Sequence, residues 1–231
     1  MHGILNIYKP AGPTSHDIVD KIRKITGIKK VGHAGTLDPF AEGVLIILIG
    51  KATKLQLKFM DMDKTYIGTL KLGEVSDTYD IMGKIKSSSF ANLPTGKARA
   101  PEDKQILKTL KTFIGEIEQV PPIYSAIKIK GKKAYELARK GIKPKLKPRK
   151  VKIYDIKILK YKWPYLKIQV KCGKGTYIRS LAHDLGRKLG CGAYLEKLIR
   201  TKIGKFDSKN ANNLEKLNSK NWTKKLFSVN I

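Results

Sequence analysis

Asp38 is the residue best placed for chemistry. It precedes Pro39 within Gly32-His33-Ala34-Gly35-Thr36-Leu37-Asp38-Pro39-Phe40-Ala41-Glu42-Gly43, a stretch holding three glycines and one proline. Such a composition suits a tight loop that exposes its backbone, where a carboxylate can form a transient covalent bond. The same Asp-Pro pair also serves ordinary turns, because aspartate hydrogen-bonds its own backbone and proline presets φ. Other chemistries find less support. Cys172 and Cys191 form no CxxC pair, and His2, His16, His33 and His183 show no ligand spacing with them, so no metal is expected. Gly50-Lys51-Ala52 lacks the upstream glycine and following hydroxyl of a phosphate loop, and Gly173-Lys174-Gly175 is incomplete as a dinucleotide fingerprint. No cofactor is expected.

The flanking segments must hold that loop. Pro13, Thr14 and Ser15 precede Ile18, Val19, Ile22 and Ile25, apolar positions at helical spacing that stop at Gly27, with Asp17 near the positive end. A capped amphipathic helix follows from this pattern. The segment 32–43 reads as a loop running into a buried strand over Val44 to Ile49. Lys64 to Gly73 alternates like a strand, as do Leu166, Ile168, Val170 and Cys172 with their polar neighbours. Between them, Ile106, Leu107, Leu110, Phe113 and Ile114 are expected on one helical face, and Lys86 to Pro101 reads as a surface connection. After Gly173 and Gly175, Ile178, Leu181, Ala182, Leu185 and Leu189 mark a helix ending near Gly190. Strands and helices mix without a regular βαβ rhythm, so the fold class is α/β or α+β.

Charge indicates the partner. In 231 residues, 48 Lys and Arg stand against 19 Asp and Glu, a formal +29, so the compact state needs a polyanion nearby. Nucleic acid is the first candidate. A membrane is disfavoured, since the longest wholly apolar run is Val44 to Ile49 and no basic amphipathic helix stands out. The amino terminus carries no secretion signal, which predicts a cytoplasmic protein. From Lys128 to Lys152 there are twelve basic residues and one acidic residue, Glu136, interrupted by Gly131, Gly141, Pro144 and Pro148. This composition predicts a projecting arm at about 121–150 whose Lys128, Lys130, Lys132, Lys133, Lys143, Lys145, Lys147 and Arg149 contact phosphates, rather than a merely solvated loop.

Five blocks carry a family resemblance: KPAGPTS at Lys9 to Ser15, GHAGTLDPFAEGVL at Gly32 to Leu45, KTYIGTLKLG at Lys64 to Gly73, PPIYSAIKIKGKKAYELARKG at Pro121 to Gly141, and CGKGTYIRSLAHDLG at Cys172 to Gly186. In this order they resemble the bacterial TruB family of tRNA pseudouridine synthases, over nearly all of residues 3–205. The resemblance implies the pseudouridine synthase fold, a central mixed β-sheet with flanking helices and an inserted RNA-binding arm. It implies isomerisation of uridine 55 in the T-loop of tRNA, without a cofactor, with the T-stem-loop as partner and a monomeric enzyme. Asp38 matches the family's nucleophile, Tyr66 the aromatic that stacks on the target base, and Arg179 the arginine that pairs with the carboxylate. His33 matches the residue that fills the space left by the flipped nucleotide, and Tyr177 and Leu198 match residues of the uracil pocket. Asp80 and Lys64 are expected beside the substrate, Asp80 as a second partner of Arg179, while Lys9 and Pro10 are expected to support the catalytic loop.

The chemistry asks for the same trio. Breaking the N1 bond to the ribose and rejoining the base through C5 needs an ionised carboxylate, which a neighbouring guanidinium favours and burial alone opposes. Base extrusion, at a few kcal/mol, is offset by stacking on an aromatic such as Tyr66. Attack at C1′ of the ribose and at C6 of the uracil both remain compatible with these residues. The sequence departs from the longer members after Arg200, where 31 residues form a short extension over 201–231. A single catalytic domain over 1–231 is therefore expected, with the accessory RNA-binding domain absent or vestigial. The alternatives are a non-catalytic RNA-binding protein or tRNA chaperone, or a synthase acting on another RNA.

Overall fold

A computed structural model describes residues 1–88, 100–125, 127–129, 131–142 and 144–229. In chain order the elements are β1 (Gly3–Lys9), α1 (Ser15–Thr26), β2 (Val31–Ala34), β3 (Glu42–Ile49), α2 (Gln56–Asp61), β4 (Lys64–Leu72), β5 (Glu74–Ser76) and β6 (Ile85–Ser87). There follow α3 (Asp103–Lys111), β7 (Gly115–Gln119), β8 (Lys128–Ile129), β9 (Lys132–Lys133), α4 (Ala134–Arg139), β10 (Arg149–Lys162) and β11 (Tyr165–Cys172). The chain ends with α5 (Ile178–Lys188), β12 (Ala193–Ile203), β13 (Phe206–Asp207) and β14 (Asn212–Asn213). The largest sheet is mixed: its strands pair in the order β14, β1, β3, β12, β4, β11, β10, β7, with β2 on β3 and β13 on β12. Residues cluster into two compact units, 1–67 with 198–231, and 68–197.

In the first unit β3 is central. It pairs antiparallel with β1 and β2 and in parallel with β12. Both of its faces are covered, which explains its unbroken apolar run. Leu45, Ile47 and Ile49 pack with Leu5, Ile7 and the α1 residues Ile18, Val19 and Ile22, whereas Val44, Ile46 and Leu48 face Phe59, Ile203 and Phe206. Each such side chain, fully buried, contributes about 1.5–3 kcal/mol. Helix α1 begins where its sequence says: Thr14 caps it, Asp17 completes the capping box, and Gly27 closes it at φ 71°.

One sequence expectation changes here. Val31–Ala34 is a strand rather than the start of a loop, because β3 offers it an edge to pair with. The stretch after Arg200 is built into the core, with Leu214, Leu217 and Trp222 buried against α1 and β1, β14 pairing β1, and Phe227 bridging Ile4.

In the second unit β10 pairs antiparallel with β11 on one side and β7 on the other. Leu166, Ile168, Val170 and Cys172 are fully buried, as their alternation requires. Helix α3 packs on β10 and α5, with Ile106 and Leu110 buried, but Leu107 and Ile114 are exposed, so the apolar face is narrower than the sequence suggested. The segment 86–101, read as a surface connection, includes β6 up to Ser87, and its residues 89–99 lie outside the described residues. Among the described residues no helix is long and apolar enough to cross a membrane, and no His, Cys, Asp and Glu group could hold a metal ion.

Candidate active site

The loop carrying Asp38 is held through its backbone. Ahead of the aspartate, the Ser15 hydroxyl accepts the Leu37 N–H at 2.9 Å and donates to the Leu37 carbonyl at 3.1 Å. Behind it, the Gly12 N–H donates to the Pro39 carbonyl at 2.9 Å, and the Lys9 ammonium donates to the carbonyls of Pro10, Pro39 and Ala41 at 2.8, 3.1 and 2.7 Å. Lys9 is fully buried, which pushes its pKa down to about 8 against the opposing pull of the Asp38 and Glu42 carboxylates. Asp38 itself is half-buried, and its carbonyl accepts the Ala41 N–H. A carboxylate so carried is fixed in place by its neighbours' main chain and keeps a face toward solvent.

Sequence reasoning missed Arg200. Only 1% exposed, it donates from Nε to the Val44 carbonyl at 2.8 Å, and from its terminal nitrogens to Gly35 at 2.9 Å and Thr36 at 3.4 Å. One guanidinium thus ties the upstream half of the Asp38 loop to β3. Close packing of the two segments demands glycine at position 43, where φ is +106° and a Cβ would lie 2.2 Å from the Arg200 carbonyl oxygen. A fully buried arginine is tolerated where several carbonyls converge, here those of Gly35, Thr36 and Val44, and nothing local in the sequence announces that convergence.

Other expected residues of the first unit sit as follows. Tyr66 is buried on the inward face of β4, and Leu198 is buried on β12. The Lys64 ammonium donates to the carbonyls of Met60 and Met62 at the end of α2. His33, on β2, is half-buried, and its Nδ1 has no hydrogen-bond partner among the described residues. Burial first, and then the Arg200 charge, lower its pKa, which favours a neutral imidazole. Pro10 is exposed and contributes its carbonyl to Lys9.

The second unit holds Arg179, Asp80 and Tyr177. Arg179, in the first turn of α5, is 4% exposed and not on the surface. Its guanidinium donates to Asp80 Oδ2 at 3.1 Å, to the Thr78 carbonyl at 3.3 Å and to the Tyr124 carbonyl at 2.9 Å. Asp80, equally buried, accepts the Thr78 hydroxyl at 2.7 Å and the Met82 N–H at 2.9 Å on its other oxygen. The start of α5 is pinned to the end of β7: the Gln119 amide brackets the backbone of Tyr177 at 2.8 and 3.0 Å, and Ser180 donates to the Val120 carbonyl at 2.7 Å.

The basic segment forms a small hairpin, β8 and β9, followed by α4. Lys128, Lys132, Lys145 and Lys147 are exposed, whereas Lys133 is half-buried over the Tyr135 ring. Arg149, exposed, belongs to β10 and pairs with Gln119, so the regular sheet resumes before the expected end of the arm. Lys130 and Lys143 lie outside the described residues.

Comparison with known proteins matches residues 23–178 to the TruB family pseudouridylate synthase N-terminal domain and residues 179–228 to the tRNA pseudouridylate synthase B C-terminal domain. The chain is 50% identical over 229 residues to tRNA pseudouridine synthase B of Clostridium acetobutylicum, covering 99% of this chain and 76% of that protein. It is 49% identical to the same-named protein of Protochlamydia amoebophila, covering 92% of this chain and 78% of that one. Among solved structures, a chain of a Cbf5-Nop10-Gar1 complex superposes with a TM-score of 0.70 at 33% identity, over 92% of this chain and 52% of that one. A structure of an H/ACA RNP bound to a substrate RNA gives 0.67 at 31% identity, over 92% of this chain and 51% of that one. With the family model spanning well over half its residues and a relative half identical along nearly its whole length, the chain belongs to the TruB family of pseudouridylate synthases.

Proposed function

We propose that this chain is a tRNA pseudouridine synthase that isomerises uridine 55 in the T-loop of tRNA, with Asp38 as nucleophile. The observation that carries the reading is the half-buried Asp38 on a loop tied down on both sides by Ser15, Gly12, Lys9 and Arg200, in a chain of this family. A pure RNA binder has no need of a carboxylate set against its own polyanionic ligand.

The target uridine leaves its stack and rests on the Tyr66 ring, His33 occupies the space left behind, and Tyr177 and Leu198 line the uracil pocket. By the family resemblance Arg179 is the cation whose charge favours the ionised form of the nucleophilic carboxylate. The bond from C1′ to N1 breaks, the uracil turns, and C1′ bonds to C5. The C5 proton goes to solvent and N1 gains one, so the isomerisation balances without an oxidant or a reductant. Asp38 bonds transiently to C1′ or C6 along the way. Lys128, Lys132, Lys145, Lys147 and Arg149 track the phosphates, and the enzyme works as a monomer in the cytoplasm.

The test incubates purified protein with an unmodified T-stem-loop transcript in the presence of a chelator and maps pseudouridine by base-specific chemistry. Modification of the single expected uridine supports the proposal. An unmodified loop, with the RNA bound, transfers the chain to the RNA-binding class.

A further inference from the structure

Tyr79 is the one non-glycine residue with a positive φ, 65°, among the described residues. L side chains other than Asn and Asp occupy that region uncommonly, and a bulky aromatic there needs surroundings that hold it. Its position explains what is held. Tyr79 lies between Thr78, whose carbonyl accepts from Arg179, and Asp80, whose Oδ2 accepts from the same guanidinium. The left-handed turn at Tyr79 lets residues on either side of it aim at one cation.

The ring is held by a second contact. Tyr79 stacks on His183 with centroids 3.9 Å apart and an interplanar angle of 15°. His183 follows Arg179 by four residues on α5, one helical turn along the same face. Two neighbours on the loop therefore meet two side chains one turn apart on the helix. The Tyr79 backbone is also paired with β12, its carbonyl accepting the Leu195 N–H at 3.0 Å while the Ile81 N–H donates to the Leu195 carbonyl at 3.1 Å.

We infer that Tyr79 and His183 form the second contact of a two-point clamp that fixes Thr78 and Asp80 as acceptors for Arg179, which makes both of them positioning residues for the isomerisation. The inference rests on Arg179 serving the proposed reaction, and it reaches beyond it by naming what holds the arginine ready. Releasing the stack leaves the left-handed turn held by its backbone bonds to Ser76 and Leu195 alone, and both acceptors of Arg179 lose alignment together.

Amide hydrogen exchange and single-turnover kinetics on the T-stem-loop test this with Tyr79→Ala, His183→Ala, the double variant and Tyr79→Phe. Exchange at residues 79–83 rises in both alanine variants and stays at the wild-type level in Tyr79→Phe, with the amides of β11 unchanged in all as the measure of intact folding. The turnover rate falls about tenfold or more while RNA affinity holds, the double variant is no slower than either single one, and Tyr79→Phe restores the rate. Unaltered exchange at 79–83 in Tyr79→Ala overturns the clamp, whether or not the wild type turns over. Altered exchange with wild-type turnover overturns the positioning role. A wild type that binds RNA without isomerising it overturns the proposed function instead, and the exchange result still decides the clamp.

Discussion

Replacing Arg200 by methionine removes the guanidinium and keeps most of the side-chain volume. Two of its hydrogen bonds are short, to Val44 at 2.8 Å and Gly35 at 2.9 Å, and the third, to Thr36 at 3.4 Å, is weak. Bonds from a charged donor are worth about 1.5–3 kcal/mol each, which puts the two strong ones at roughly 3–6 kcal/mol. Removing a buried charge returns part of its desolvation cost, so the lower end, about 3 kcal/mol, is the expected loss. For a chain of this size that lowers the melting temperature by roughly 6–12 °C. The kinetic consequence is larger than the stability change alone suggests. The carbonyls of Gly35 and Thr36 lose their anchor just upstream of Asp38, and with Asp38 as the proposed nucleophile a misplacement by an ångström costs on the order of a hundredfold in rate. Arg200→Lys keeps the charge but offers a single ammonium where three carbonyls are spread, so it falls between wild type and Arg200→Met. Urea unfolding and single-turnover modification of the T-stem-loop measure both effects. A variant that unfolds at the wild-type urea midpoint and turns over at the wild-type rate refutes the bracing role of Arg200.

Asp80→Ala strips the carboxylate from a buried guanidinium and costs about 3–5 kcal/mol in urea unfolding, whereas Asp80→Asn, which can still accept from Thr78 and Met82, costs less. Lys9, whose folded pKa of about 8 is below the unfolded lysine value of roughly 10.4, binds fewer protons folded than unfolded across that window. Its contribution therefore grows more favourable as pH rises from about 8 to 10.4, and the unfolding free energy of wild type relative to Lys9→Met increases between those limits; a flat or falling difference contradicts this. Neutralising Lys145 and Lys147, both exposed, reduces the slope of log affinity against log salt by up to roughly 0.7–0.9 per lost phosphate contact, and filter binding at several salt concentrations reads it directly.

Much of the scaffold was visible in the sequence where local pattern and burial agree. The run Val44 to Ile49 reads as a buried strand and is one, covered on both faces, and the Thr14 and Asp17 box with Gly27 set the limits of α1 within a residue. Strand β2 was not visible, since Val31–Ala34 is short and glycine-containing and becomes a strand only because β3 presents its edge. Leu107 and Ile114 misled because helical spacing identifies a face and says nothing of how wide a neighbouring sheet will cover it. The Asp38 loop was recognisable from its own residues together with the family blocks. Its bracing by Ser15, Lys9 and Arg200 was only partly so, because these partners are 22, 32 and 165 residues distant from the carbonyls they reach. The burial of Arg179 likewise follows from acceptors on two distant segments, near Thr78 and Tyr124, which no local pattern encodes.

The central claim, that Asp38 makes the covalent bond in a uridine isomerisation, is tested most directly by tritium release from a T-stem-loop labelled at C5 of the target uridine. Forming the C1′ bond to C5 expels that label, so wild type should release one equivalent per RNA, and Asp38→Asn should release none while binding the RNA as tightly. Release by Asp38→Asn at the wild-type rate would contradict the account.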